Sequence, residues 1–262
     1  MQALYIASTG MMAQETNVEV ISNNIANMRT AGFKRQRAEF QDLLYQNLRR
    51  VGAETSEQGT MVPSGVQIGS GVMTAATPRI MSQGSIIPTE KELDMAISGD
   101  GFFQIQLPDG GTAYTRAGTF ERDATGTLVT ADGFTVQPGI TIPDNARGLS
   151  ISIDGTVSAI LGNNAQATDI GQIELARFIN QSGLQAVGDN LFMETASSGN
   201  PLTGNPGAEG FGSVRQGYIE IANVNSVTEI SDLIAAQRAY EMNARVVSAA
   251  DEMMSNTSQM LR

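Results

Sequence analysis

Both ends of this 262-residue chain carry apolar residues at helical spacing over unusual lengths, and that feature limits the fold more than any other. At the first end the apolar positions are Leu4, Ala7, Met11, Val18, Ile21, Ile25 and Met28, with Gln14 at the one missing heptad position. Steps of three and four sustained over several heptads predict one long helix. The pattern stops near Gly32, a residue suited to ending a helix. A helix of about 28 residues is ~40 Å long at 1.5 Å per residue. At the other end, Ser226-Val-Thr-Glu229 has the form of a capping box with Ser226 as N-cap. No Pro or Gly follows it. One stripe there is Ile230, Leu233, Tyr240, Ala244, Val247, Met254 and Leu261, interrupted by Gln237, Asp251 and Ser258. A neighbouring stripe is Ile234, Met242, Val246, Ala249, Met253 and Met260. A helix of ~36 residues, ~54 Å long, with so wide an apolar surface has more to bury than one ~40 Å partner can cover. Two arrangements accommodate it: a helical hairpin packed on its own domain, or burial by other copies of the chain.

Between the helices the period changes to that of strands. Phe102–Leu107 and Thr112–Thr115 flank the turn Pro108-Asp-Gly-Gly111, and Ser150–Ile153 turns at Asp154-Gly155 into Thr156–Ile160. Further strands are expected at Leu128–Thr130, Phe134–Gln137, Gln172–Phe178 and Leu191–Met193. Residues 195–217, rich in Gly, Ser, Asn and Pro, read as a long connection. Residues 50–88 have little helical periodicity and read as an extended or hairpin arm. The fold class is α+β: long terminal helices paired as a coiled coil, a central β-rich domain and an extended arm. The expected divisions are 1–32 for the first helix, 33–92 for linker and arm, 93–225 for the β-rich domain and 226–262 for the last helix.

Composition removes several kinds of chemistry. The chain has no His, so no imidazole base or ligand, and no Cys, so no thiolate, disulfide or iron–sulfur cluster. Its net charge of −11 argues against binding nucleic acid through phosphates. The charge is uneven: residues 51–218 hold seven basic and 17 acidic residues, whereas both ends are close to balance. Absence of Cys suits a reducing cytosol and equally a protein exported unfolded. The first residues lack a basic n-region, so no cleavable secretory signal is expected, and no stretch is apolar enough to span a membrane.

No constellation carries a specific catalytic signal. Gly65-Val-Gln-Ile-Gly69-Ser-Gly71 lacks the Gly-Lys-Ser/Thr ending of a phosphate loop. Asp94, Asp100, Asp109, Asp123 and Asp132 offer carboxylates for hydrolysis or calcium, but most adjoin Gly or Pro, where Asp serves turns. Lys34-Arg-Gln-Arg37 is a small basic cluster better suited to a helix-end or intersubunit salt bridge than to nucleic acid. No catalytic, cofactor or metal residue is assigned. A hydrolase using two of the Asp residues and a monomeric β-domain binding module with a helical stalk are the rival classes.

Ser22-Asn23-Asn24-Ile25-Ala26-Asn27-Met-Arg-Thr30-Ala-Gly32-Phe33-Lys34 resembles the N-terminal signature of bacterial flagellar rod and hook proteins. Asn223-Val224-Asn-Ser-Val-Thr-Glu229 and Ala236-Gln237-Arg238-Ala239-Tyr240-Glu241-Met-Asn243 resemble that family's second signature. Gly99–Gln104, Ala113–Phe120 and Leu128–Gly133 look like its β segments. Asp42–Gln46, including Tyr45 and Gln46, resembles the extra stretch of distal rod subunits, as does Pro63-Ser64-Gly65-Val-Gln67-Ile-Gly69. The resemblance implies a structural subunit without catalysis or cofactor. Its terminal helices would line an inner tube through Leu4, Ala7, Met11, Val18, Ile21, Ile25, Met28, Ile230, Leu233, Ile234, Tyr240, Val247, Met254 and Leu261. It implies a helical homopolymer meeting proximal rod proteins, the hook protein, the periplasmic and outer-membrane bushing rings and the flagellar type III export apparatus, with no nucleic acid or small-molecule substrate. The implied location is a periplasmic rod reaching the outer membrane. A proximal rod or hook-type subunit is the nearest alternative.

Overall fold

A computed structural model describes residues 2–49, 64–162 and 167–260. The chain divides into two compact units, residues 1–25, 36–78 and 225–262 forming one and residues 26–35 and 79–224 the other.

The first unit holds both long helices, α1 (Gln2–Ala26) and α2 (Ser226–Met260). They run antiparallel: Asn24 hydrogen-bonds Glu229, and Gly10 lies against Asn243. A Cβ on Gly10 would sit 2.9 Å from Asn243 Nδ2, so a side chain there would require the Asn243 amide to shift. Ala7, Ala13, Val20, Ile21 and Asn24 are buried on α1, and Glu229, Ala236 and Ala250 on α2. The seam is therefore built largely of small residues. On α2 it follows the first apolar stripe, of which Leu233, Ala244 and Val247 are half-buried, whereas Ile230, Ile234, Tyr240 and Met254 are left exposed. The same unit carries a two-stranded ribbon. Glu39–Asp42 pairs antiparallel with Val72–Ala76, and Tyr45–Arg49 with Val66–Gly69. Thr9 of α1 packs on it: Val72 N–H donates to Thr9 Oγ1 at 3.4 Å.

Two helix ends differ from expectation. α1 ends at Ala26, not at Gly32, so Met28 lies in the turn beyond it. The N-cap of α2 is Asn225, whose Oδ1 accepts from the N–H groups of Val227 and Thr228, and Ser226 is the first helical residue.

The second unit is β-rich. Its largest sheet runs in the order Gln185–Gly188, Leu191–Met193, Thr112–Thr115, Phe102–Gln106, Thr135–Val136, Leu128–Thr130, Phe120–Arg122. The strand Leu175–Arg177 also pairs with Phe102–Gln106, and Leu202–Gly204 pairs with Leu175–Arg177. The expected hairpin forms, with Phe103 opposite Thr115 and Gln104 opposite Tyr114. Period-2 alternation sends Phe103 and Ile105 into the main core with Phe120, Leu175 and Val214. Phe102 points the other way, into a second core of Tyr114, Phe178, Leu184 and Phe192. Ala146–Ile151, Thr156–Leu161 and Ala167–Gln172 form a separate three-stranded sheet. The expected strand Gln172–Phe178 is broken, because Ile173 N–H turns to Gly155 O. Residues 195–217 are more than a connection. They contain the strands Leu202–Gly204 and Ser213–Gln216, the latter pairing with Met95–Ser98.

Gly32 is tightly constrained in this unit. Its φ is +70°, its N–H donates to Glu220 O at 2.8 Å, and an added Cβ would lie 2.3 Å from Ala117 N. Gly139 has a similar φ of +85° with nothing within 4 Å. Gly139→Ala should therefore cost only the left-handed backbone penalty, roughly 1–3 kcal/mol. Gly32→Ala adds a clash with fixed backbone and is expected to lower the denaturation midpoint clearly further. Equal midpoints for the two variants would refute the steric account.

Candidate assembly surface

The signature residues read from the sequence separate into two buried polar sites and one exposed face. In the second unit, Lys34 is held by two segments distant in sequence. Its Nζ lies 2.5 Å from Glu220 Oε1 and donates to Ser82 O at 2.9 Å. Glu220 Oε1 also accepts from Gly84 N–H at 2.7 Å. Arg116 Nη1 lies 3.6 Å from Glu220 Oε2, near enough for attraction but beyond a good hydrogen bond. Arg116 Nη2 donates to Gly99 O, and its guanidinium lies over the Phe102 ring at 5.5 Å. All three charged side chains are almost completely buried. Burial holds the Lys34 ammonium below the ordinary lysine range, with Glu220 opposing the shift and Arg116 adding to it. Burial lowers Arg116 likewise, against the pull of Glu220 and Asp100. Lys34 is thus neither a helix-end charge nor an intersubunit bridge, as its basic surroundings suggested. It is an internal tie. Beside it, Asn223 accepts from Arg35 N–H and donates to Ile80 O and Ser82 O.

In the first unit, Asn24 does similar work. Its side chain donates to Gln36 O at 2.8 Å and accepts from Gln36 N–H at 2.9 Å. It also donates to Glu229 Oε2 at 3.1 Å. Both bonds of one backbone residue and the start of α2 are therefore fixed by one amide. Glu229, expected to serve a capping box, is buried in this contact. Asn27 and Thr30 close the turn after α1, and Ile25, Phe33 and Val224 are half-buried nearby in sequence.

The other sequence-selected residues lie mostly on open surface. Leu4, Met11, Val18, Leu233, Ala239, Asn243 and Val247 are half-buried, and Asn23, Ala26, Gln237, Arg238 and Glu241 are exposed. Tyr45, Gln46, Ser64 and Gln67 are exposed on the ribbon, where Tyr45 stands opposite Gly69 and Asn47 opposite Gln67. Pro63 and Leu261 lie outside the described residues. The exposed apolar residues of α2 run round the helix: Val227, Ile230, Ile234, Tyr240, Met242, Val246, Met253, Met254 and Met260. Interspersed with exposed charges such as Asp232, Arg238 and Arg245, they leave more apolar surface than a solvated helix face ordinarily carries. The ribbon adds Leu44, Tyr45, Leu48, Val66 and Ile68. Arg116, Glu220, Ser82 and Gly84 were not singled out from sequence. For Arg116 and Glu220 the one signal is a charge set among strand-forming residues, as in Tyr218-Ile-Glu220-Ile.

Among the described residues no group of three or more acidic side chains could hold a metal ion, and no helix is long and apolar enough to cross a membrane.

Residues 4–34 match the family "Flagella basal body rod protein", residues 96–159 the "Flagellar hook protein FlgE/F/G D1 domain", and residues 215–260 the "Flagellar basal body rod FlgEFG protein C-terminal". The chain is 55% identical over 260 residues to the flagellar basal-body rod protein FlgG of Caulobacter vibrioides, covering 99% of each chain. It is 51% identical over 262 residues to FlgG of Agrobacterium fabrum, covering both completely. Against the rod protein FlgF of Caulobacter vibrioides identity is 32%, over 99% of this chain and 95% of that one.

Proposed function

The chain belongs to the FlgG family of flagellar basal-body rod proteins, and from that premise we propose that it is the structural subunit of the distal rod. It polymerises helically into the stiff shaft that carries torque from motor to hook and encloses the export channel. The observation that carries this reading is α2, whose apolar residues α1 covers on one side only. Side-by-side copies supply the missing neighbours, the terminal helices pairing as an inner coiled-coil tube through positions such as Ile234, Tyr240 and Met254. The acidic β-rich unit then faces outward, toward the bushing rings. The rod meets proximal rod proteins below and the hook above, and its subunits arrive through the type III export apparatus. The ribbon, with Leu44, Tyr45 and Leu48 exposed, reaches an axial neighbour as an extended arm and stiffens the shaft.

Negative-stain microscopy across a concentration series tests this. Full-length protein seeded with isolated proximal rods should give extended rods, and a version lacking residues 1–32 and 226–262 should give none. Monodisperse particles from the seeded full-length chain would refute the polymer reading. A version lacking residues 45–69 should give measurably more flexible rods; unchanged stiffness would remove the role of the arm.

A further inference from the structure

The β-rich unit has an open cleft of about 280 Å³ between Phe120–Arg122 and Ala146–Ile151. Its walls include Leu93, Ile142 and Leu149, and Glu92, Arg122 and Arg147 also line it. Ile142 is buried, Leu93 and Leu149 half-buried, and both arginines exposed. The seven basic residues of 51–218 are not equally free. Lys91 pairs with Glu121 and Arg116 with Glu220. Arg177 donates to Gly210 O, and Arg79 lies over the Phe192 ring. Only the side chains of Arg122, Arg147 and Arg215 have no ion pair, hydrogen bond or ring contact among the described residues. Two of those three line one cleft. They do so in a segment with ten more acidic than basic residues.

We propose that this cleft receives a carboxylate-bearing turn from a second copy of the chain. The proposal rests on the polymer reading above and adds a specific contact to it. Charge complementarity points to the occupant. Copies with this acidic middle repel one another at low ionic strength, so a stable lateral contact needs a place where the sign reverses. Two unpaired guanidiniums beside an apolar wall suit a carboxylate, which can accept from both through charge-assisted bonds. The chain itself offers exposed acidic turns, such as those at Asp109 and Asp132, neither paired with a cation among the described residues. The cleft is large enough for an acidic side chain and part of its turn, and too small for a folded element.

The test uses full-length chains in cells whose motility depends on this protein. A photo-cross-linking amino acid replaces Ala146, which lines the cleft. In a second strain it replaces Ile234 on α2. Cross-links from position 146 should join two copies and map to a peptide containing Asp or Glu. They should fall at least fivefold with Arg122→Ala plus Arg147→Ala and persist with Arg122→Lys plus Arg147→Lys. Those from position 234 should survive every substitution. Copies joined through 234 but not through 146 would overturn the cleft contact and leave the polymer intact, as would capture at 146 of another protein alone. Cross-links at 146 indifferent to the arginines would overturn recognition by charge. No joined copies from either position would remove the polymer reading, and this contact with it.

Discussion

Glu220→Ala is expected to destabilise the β-rich unit by about 3–5 kcal/mol, the usual cost of breaking a buried ion pair by removing one partner. The carboxylate touches Lys34, Gly84 N–H and, more loosely, Arg116. Its loss leaves two buried cations without a counter-charge and strands one backbone donor. Against a total stability of ~5–15 kcal/mol, that is a fifth or more of what a domain has. The variant should show a large fall in urea midpoint, and much of it should be insoluble when expressed. A companion variant separates charge from packing. Replacing Lys34, Arg116 and Glu220 together by Met, Met and Leu removes the stranded charges, and such replacements are often neutral or stabilising. The triple variant should recover most of the lost midpoint. If it is as unstable as Glu220→Ala, the side-chain hydrogen bonds to Ser82 O, Gly84 N–H and Gly99 O matter more than charge balance. If Glu220→Ala unfolds like the parent, the hub is not structural.

That hub shows where the sequence was silent. Local spacing marked the two helices, because steps of three and four are set within one segment. It marked the hairpin at Pro108–Gly111 and the turn at Asp154-Gly155, because turn chemistry is local too. Lys34 read as surface because Arg35 and Arg37 flank it, and no local rule names a partner 186 residues away. The same blindness explains the end of α1. Gly32 looked like its stop, but the helix ends six residues earlier, where Asn24 takes over the backbone of Gln36. At α2 two cap-forming residues stand side by side. Asn225 wins, and Glu229 meets Asn24. Residues 195–217 read as a loop from their composition, yet short strands paired through backbone need little from their side chains.

The same separation of local from distant information explains α2, and leads to the second large effect. At 100° per residue, Ile234 and Met242 lie across the helix from the Glu229–Ala236–Ala250 seam that faces α1. Within one chain they touch little and are exposed. Ile234→Asp with Met242→Asp should therefore change monomer stability by no more than about 0.5 kcal/mol, as surface substitutions do. In the polymer the account reverses. Nine apolar side chains of α2 are at least two-fifths exposed in the single chain. Completing their burial against neighbours would contribute on the order of 10 kcal/mol per subunit before association entropy. Two aspartates on that face would instead be buried without partners, at several kcal/mol each. Because every subunit carries them, the cost recurs at every contact. The expected result is a normally folded, normally exported protein that is missing from isolated basal bodies, in cells that do not swim. Wild-type motility would mean that this face stays in solvent throughout, and that an apolar helix of this length has some reason to exist other than burial by its own kind.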